Sequence, residues 1–177
     1  MKVLGFAASN SKNSINAKII EYVLSKIDCK TEIINIIDYE TSIYSIDSEA
    51  ENGIPQKIHE FLAKISDSDL IVISHAEHNG NYNVFYKNLI YWCSRARRDI
   101  FQNKKLILLS TSPGKLGGQN VLDIAKNSAK SFAGDICEAI PIPNFYDVFV
   151  DEKIIDKSMN DNIFNAFKKL DIPILNN

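Results

Sequence analysis

The chain has 177 residues, of which 45% are hydrophobic and 24% are charged, with 20 basic and 22 acidic side chains giving a formal net charge of −2. This length fits one domain over residues 1–177, and the balanced charge argues against non-specific nucleic-acid binding and against a strongly acidic electron carrier. The three widely spaced cysteines predict reduced thiols in a cytoplasmic protein without a metal site. No apolar run approaches the ~20 residues that span a bilayer, so we predict no contact with a membrane.

Short apolar runs alternate with helical patterns along the whole chain. In chain order, we predict a strand at 3–8, a helix at 15–27, a strand at 31–37, a long loop at 38–53, a helix at 55–65, a strand at 70–73, a helix at 84–98, a strand at 106–109, a helix at 119–132, a strand at 136–142 and a helix at 159–170.

The runs at 70–73 and 106–109 are continuously apolar, which is typical of parallel strands covered by helices on both faces. Because strand and helix alternate five times, the pattern favours a doubly wound α/β fold. Five strands fit a flavodoxin-like three-layer sandwich, with a parallel sheet of order 2-1-3-4-5, better than the six-stranded dinucleotide fold. Ligands of such sheets bind at the carboxyl ends of the strands, so the loops after the first, third and fourth strands are the informative ones.

The first loop, residues 9–16, follows the first strand and opens a helix. A helix N-terminus offers unpaired N–H groups and partial positive charge, which suit a phosphate. Side-chain donors are added by Ser9, Ser11, Ser14 and Asn16, and the absence of glycine points to a monophosphate more than to a dinucleotide. The alternative is a polar turn in which Ser14 or Asn13 only caps the helix.

The second and third loops are candidates for holding a flat ring. In the second loop, residues 74–83, Asn79-Gly80 predicts a tight turn whose N–H groups can reach the pyrimidine oxygens of a flavin, with His78 and Tyr82 against the ring. In the third loop, residues 110–119, three glycines and a proline allow close approach of the backbone. The alternatives are a surface turn with solvated histidines and a flexible connection without function.

Together the three loops resemble the NADPH-dependent FMN reductase family, which includes flavin, quinone, azo-dye and chromate reductases. The family's S-x-x-x-x-S-x-N motif is matched by Ser9, Ser14 and Asn16. Its P-E-Y-N motif and following K-N-x-x-D-W helix are matched by Glu77, Asn79, Lys87, Asn88 and Trp92. Its S-x-P-G-x-x-G-G motif is matched by Ser110 or Ser112, Pro113, Gly114, Gly117 and Gly118. The chain departs from these motifs at Ala76, His78 and Tyr91, and Ser11 and Lys12 stand where an Arg often follows the first Ser.

The resemblance implies an oxidoreductase in which NADPH or NADH gives a hydride to bound FMN and a small acceptor then takes two electrons, with no catalytic side chain of the protein. The cofactor-binding residues that it implies are Ser9, Ser11, Lys12, Ser14, Ile15, Asn16, Glu77, His78, Asn79, Gly80, Ser112, Pro113, Gly114, Gly117 and Gly118. It also implies a homodimer or homotetramer, and the helix at 84–98 is a candidate interface. That helix can instead be buried within its own subunit.

Two further hypotheses concern charge. A protonated His78 can stabilise the anionic reduced flavin. Arg95, Arg97 and Arg98 can receive the 2′-phosphate of NADPH, or simply complement the end of their own helix. The rival functions are a flavodoxin-type electron carrier, whose T-x-T-G-x-T loop is absent, and a non-enzymatic flavodoxin-like binding module.

Overall fold

The computed structural model describes residues 1–175. Its helices and strands are β1 Lys2–Ala8, α1 Ile15–Ser25, β2 Lys30–Ile33, α2 Ile46–Asn52, α3 Gln56–Ser66, β3 Leu70–His75, β4 Glu77–His78, β5 Asn81–Tyr82, α4 Val84–Ala96, β6 Lys105–Thr111, α5 Gln119–Ser131, β7 Asp135–Ile142, α6 Phe145–Val148, β8 Phe149–Val150, β9 Lys153–Ile154 and α7 Lys157–Lys168.

The central sheet is parallel and has the strand order β2-β1-β3-β6-β7, which confirms the predicted order 2-1-3-4-5. The direction of winding changes at β1, which pairs with β2 on one side and β3 on the other. In the register, Ala8 lies beside His75, and His75 lies beside Ser110. The carboxyl ends of the three inner strands are therefore level, and the three loops that follow them share one edge of the sheet.

The inner strands β3 and β6 are buried on both faces, as their continuous apolar runs predict. In β3, Ile71 and Ile73 pack into a core with side chains of α3, α4 and α5, while Leu70 and Val72 pack into a second core with α1 and α7. The same alternation in β6 sends Leu106 and Leu108 to one face and Ile107 and Leu109 to the other. Successive strand residues point to opposite faces, so the polar residues that end β3 and β6 are also divided between the two layers.

The segment after the second strand differs from its prediction. The run at 31–37 pairs only as far as Ile33, and Ile36–Tyr39 forms a 3₁₀ helix whose start is capped by the Asn35 side chain. The stretch at 38–53, predicted as loop, contains α2, which Ser45 caps by accepting a hydrogen bond from the Ser48 N–H. Since α2 buries no side chain, its sequence has no apolar periodicity that would have indicated a helix.

The strands β3 and β6 each run two residues further than predicted, because Ser74, His75, Ser110 and Thr111 continue the ladder after the apolar run has ended. The hairpins β4–β5 and β8–β9 and the short helix α6 were not predicted. Within residues 1–175, no helix has the length and apolar character needed to cross a bilayer.

Candidate functional site

A cleft of about 270 Å³ opens at the carboxyl edge of the sheet. All three predicted loops contribute to its wall, which is lined by Ser9, Ser11, Asn13, Ser14, Ile15, Asn16, Ala76, Glu77, His78, Thr111, Ser112, Pro113 and Tyr146. Six of the predicted binding residues are absent from this lining, namely Lys12, Asn79, Gly80, Gly114, Gly117 and Gly118. The cleft is therefore built mainly by the first loop, by the residues immediately after β3, and by the start of the loop after β6.

Three serines of the first loop use their side-chain oxygens as acceptors for nearby backbone N–H groups. Ser9 Oγ accepts from the Ser11 N–H at 3.3 Å, Ser11 Oγ accepts from the Asn13 N–H at 3.3 Å, and Ser14 Oγ accepts from the Ala17 N–H at 3.2 Å. A hydroxyl that accepts a bond can still donate its own hydrogen. The folded loop therefore holds three hydroxyl donors in place, and these donors suit an anion.

The first turn of α1 adds backbone donors beside these hydroxyls. Ser14 is the N-cap, so the alternative reading of this residue as a helix cap is correct as far as the fold is concerned. The N–H groups of Ile15 and Asn16 precede that of Ala17, at helical positions that have no acceptor within the helix. Together with the positive end of the helix dipole, they make the cleft wall attractive to a negative group.

The Asn16 side chain, predicted as a donor in the cleft, makes three hydrogen bonds within the chain. Asn16 is buried, its Oδ1 accepts from Ser74 Oγ at 2.7 Å and from the Thr111 N–H at 3.1 Å, and its Nδ2 donates to the Thr111 carbonyl at 3.4 Å. The amide thus joins α1 to the ends of β3 and β6. Its effect on a ligand is to fix the position of the first loop over the sheet.

The Asn79-Gly80 turn is the tip of the β4–β5 hairpin, with φ values of 52° and 72°. Such angles suit Asn and Gly, as predicted. The tip does not line the cleft, however, and the wall is formed by the preceding residues Ala76, Glu77 and His78. The predicted reach of the turn N–H groups to a ring is therefore not supported, whereas the exposed His78 remains open to a ligand.

Glu77 connects the second loop to the start of α5. Its Oε2 accepts from the Val121 N–H at 3.0 Å, and its Oε1 accepts from Asn120 Nδ2 at 3.2 Å. The N-cap position of α5 is Gly118, which has no side chain to satisfy the helix N–H groups. Glu77 supplies that cap from a distant part of the chain, so its carboxylate is engaged in positioning the cleft wall.

The paired glycines of the third loop are explained by packing. A Cβ on Gly117 would lie 2.6 Å from the Pro143 nitrogen, and one on Gly118 would lie 3.0 Å from the Ser110 side chain. Both residues also have a positive φ, which residues with a side chain rarely adopt. These glycines let the third loop close over β6 and β7, a role distinct from the predicted contact with a ligand.

The helix α4 begins near the cleft and runs away from it. Near its middle, Asn88 Nδ2 and Trp92 Nε1 both donate to the Ser42 carbonyl, at 3.0 and 2.9 Å, and Asn88 Oδ1 accepts from the Tyr44 N–H. These two motif residues therefore hold the segment after the 3₁₀ helix against α4.

The three arginines at the far end of α4 are engaged within the chain. Arg95 pairs with Glu49 at 2.8 Å, Arg97 pairs with Asp99 at 2.8 Å, and the Arg98 guanidinium lies over the Phe132 ring. A helix of 13 residues rises about 20 Å. These arginines therefore lie well along α4 from the cleft, and the hypothesis that they receive the 2′-phosphate of NADPH stays a prediction.

His75 lies at the end of β3 but on the face opposite Ser74, away from the cleft. Its ring is buried, both ring nitrogens lack a hydrogen-bond partner, and the rings of Tyr82 and Tyr86 lie 5.5 and 5.3 Å away. Burial lowers the pKa of His75 from 6.5 to about 3, because the core cannot solvate the charged imidazolium. A neutral imidazole thus lies under the second loop.

Sequence reasoning missed four residues of the wall, namely Asn13, Ala76, Thr111 and Tyr146. Tyr146 follows β7 and is 68% exposed. Two backbone hydrogen bonds hold its helix against the third loop, from the Phe145 N–H to the Ser112 carbonyl and from the Asn144 N–H to the Gly114 carbonyl. The topological rule that selected the other loops applies equally to the end of β7 and would have found this residue.

Among residues 1–175, no three His, Cys, Asp or Glu side chains are grouped to hold a metal ion.

Comparison with known proteins gives a family match over most of the chain. The sequence profile described as NADPH-dependent FMN reductase matches residues 1–147. An uncharacterised protein of Mycoplasma pneumoniae, described as an MG342 homolog, is 29% identical over 154 residues, covering 84% of this chain and 90% of that protein.

Solved structures give the same fold at low sequence identity. FerB of Paracoccus denitrificans, a flavoenzyme NAD(P)H:(acceptor) oxidoreductase, has a TM-score of 0.77 at 19% identity, covering 96% of this chain and 95% of that one. An azoreductase of Bacillus anthracis has a TM-score of 0.67 at 16% identity, with coverages of 95% and 99%. An NAD(P)H:quinone oxidoreductase of Methanothermobacter marburgensis has a TM-score of 0.62 at 13% identity, with coverages of 95% and 96%.

Proposed function

Because the chain belongs to the NADPH-dependent FMN reductase family, we propose that it binds FMN in the cleft and uses it to reduce a small acceptor with NADPH or NADH. Membership of this family indicates that the chain is an NAD(P)H-dependent oxidoreductase. The observation that carries the FMN proposal is the first loop, where three serine hydroxyls and the N-terminus of α1 line one wall of the cleft. These are hydrogen-bond donors, and they fit a terminal phosphate.

In the proposed complex, the phosphate lies against the first loop, and the ring lies toward Ala76, Glu77, His78, Ser112 and Pro113. The chemistry supplied by bound FMN is acceptance of a hydride from the nicotinamide donor and later transfer of an electron pair to a small acceptor, such as a quinone, an azo compound or a free flavin. The protein's part is to hold the cofactor, and Asn16 and Glu77 do this indirectly by fixing the walls. In this proposal the His78 side chain, which lines the cleft, is a hydrogen-bond donor to the ring.

Ser11→Asp is expected to weaken FMN binding by about tenfold to a hundredfold, because it places a negative charge beside the proposed phosphate. The dissociation constant is measured by quenching of flavin fluorescence. The matched control is Ser158→Asp, which adds the same charge at an exposed position in the first turn of α7, away from the cleft. Equal affinities of the two variants would contradict the proposed phosphate position, and absence of FMN binding to the wild type would contradict the proposed function.

Assays of the wild-type protein distinguish an enzyme from the two rival functions. An NAD(P)H-dependent reductase, loaded with FMN, oxidises NADPH or NADH continuously when quinone, azo or flavin acceptors are added. An electron carrier binds FMN but does not turn over the nucleotide, and a non-enzymatic module stays colourless after incubation with FMN.

We also propose that two copies associate through α4 and the segment packed on it. The apolar side chains of Ile43, Ile46, Val84 and Tyr91 are 81%, 70%, 77% and 48% exposed on this side of the molecule, and Tyr44 stacks on Tyr91. Ile46→Glu is expected to shift the protein from dimer to monomer in sedimentation equilibrium, since a charge at a buried interface is costly. Ile155→Glu, at a similarly exposed residue before α7, is the control and leaves the dimer intact. A wild type that sediments as a monomer would contradict the proposal.

A further inference from the structure

A second cavity, here called the side groove, lies next to the cleft on the other side of the first loop. It has a volume of about 370 Å³ and runs between α1 and the chain that follows β2. Its lining is Ala7, Ser9, Ser11, Lys12, Ser14, Ala17, Ile20, Glu21, Ile33, Ile34, Asn35 and Ile37. The volume is within the range of small-molecule sites. Ser9, Ser11 and Ser14 line both cavities, so the cleft and the side groove meet at the proposed phosphate position.

The lining of the side groove divides into parts of different chemistry. Four isoleucines and two alanines give it an apolar surface that suits the face of an aromatic base. Lys12 lies in the first loop beside the shared serines and brings a positive charge to that end. Glu21, two helical turns into α1, brings a carboxylate that can accept hydrogen bonds from a sugar diol, and repels a phosphorylated sugar.

We propose that the side groove binds the adenosine monophosphate half of FAD, so that this chain accepts FAD in addition to FMN. The inference rests on the proposed function, because it takes the FMN phosphate to lie at the shared serines. FAD differs from FMN by an adenosine monophosphate joined to that same phosphate, and the side groove begins at that point. Lys12 faces the second phosphate, Glu21 the ribose hydroxyls and the isoleucines the adenine.

The adenosine of NADH has the same chemistry and is the competing source of this group. Continuity favours FAD, because the pyrophosphate of NADH would have to pass beside a phosphate already held by the three serines. Repulsion between the two anions opposes that arrangement.

The test compares FMN and FAD affinities, measured by flavin fluorescence quenching, in three proteins. Ile33→Trp fills the side groove from an exposed position on β2, and Thr31→Trp is the matched control, two residues earlier on the same exposed edge strand and outside the lining. We expect Ile33→Trp to weaken FAD binding at least about tenfold and to leave FMN binding unchanged, while Thr31→Trp binds both flavins as the wild type does. We also expect adenosine, which carries no phosphate to repel that of FMN, to compete with FAD but not with FMN.

Several results would overturn the assignment. One is that FMN binds the wild type while Ile33→Trp weakens the binding of FMN and FAD equally, or weakens the binding of neither. In that case the side groove does not hold adenosine, and the proposed function stands. If Ile33→Trp raises the KM for NADH and leaves both flavin affinities unchanged, the groove belongs to the electron donor. If neither flavin binds the wild type, this inference and the proposed function fail together.

Discussion

Asn16→Leu is expected to lower the free energy of unfolding by roughly 2 to 5 kcal/mol. The substitution leaves the Ser74 hydroxyl and the Thr111 N–H without the Oδ1 atom that now accepts from both, at 2.7 and 3.1 Å. All three residues are buried, and each buried donor left unpaired costs about 1–3 kcal/mol. The change also loosens the first loop over the sheet, so FMN affinity should fall along with stability. Urea unfolding and flavin fluorescence quenching measure the two effects.

Asn16→Asp changes the same position in a different way. A carboxylate keeps an acceptor for Ser74 and Thr111, but it replaces the Nδ2 donor with a second oxygen that faces the Thr111 carbonyl, so this variant should also be less stable than the wild type. Its negative charge lies in the first turn of α1, near the proposed phosphate, so the affinity for FMN should fall at least as far as in the leucine variant. If the aspartate variant binds FMN as tightly as the wild type does, the phosphate does not lie beside the first turn of α1.

The sheet could be predicted because the hydrophobic pattern of each strand is contained in a short stretch of sequence. The runs at 70–73 and 106–109 are apolar at every position, which is typical of short strands buried on both faces. Once five strands alternate with helices, the handedness of the connections leaves few possible orders. The order then selects the loops after β1, β3 and β6, which is why nine of the predicted residues do line the cleft.

The roles of individual side chains could not be predicted, because they depend on partners that are distant in sequence. Asn16 matches a loop motif and looks like a ligand donor, but its amide pairs with Thr111, 95 residues away. Glu77 looks like part of a ring site, but its carboxylate caps a helix that begins 42 residues later. No pattern within either segment indicates these pairings. In both cases the residue fixes the wall of the cleft that it lines.

A second large effect is expected from His75, namely a fall in the free energy of unfolding at acidic pH. The folded chain keeps the pKa of His75 near 3, whereas in the unfolded chain its pKa is the ordinary 6.5. Below pH 6.5 the unfolded state therefore binds a proton that the folded state does not, and this favours unfolding. The stability is intact above pH 6.5 and is lost progressively as the pH falls toward 3. At about 1.4 kcal/mol per pH unit, the loss by pH 4.5 is roughly 2–3 kcal/mol.

His75→Phe should abolish this contribution, because phenylalanine fills a similar space and takes no proton. The neighbouring Tyr82 and Tyr86 stay neutral throughout this range, since burial raises the pKa of both phenols. The variant should therefore lose roughly 2–3 kcal/mol less than the wild type between pH 7 and pH 4.5. At pH 7 it should be as stable or more so, since it removes two buried nitrogens without partners.

The measurement is urea unfolding at both pH values for the wild type, His75→Phe and His59→Gln. His59 is exposed on α3, so its removal serves as the matched control and should leave the pH dependence of the wild type. Carboxylates that titrate in the same range are common to all three proteins and cancel in the comparison. If His75→Phe loses as much stability as the wild type between the two pH values, the imidazole is not kept neutral by burial in the folded state. The acid sensitivity would then come from the carboxylates that the proteins share.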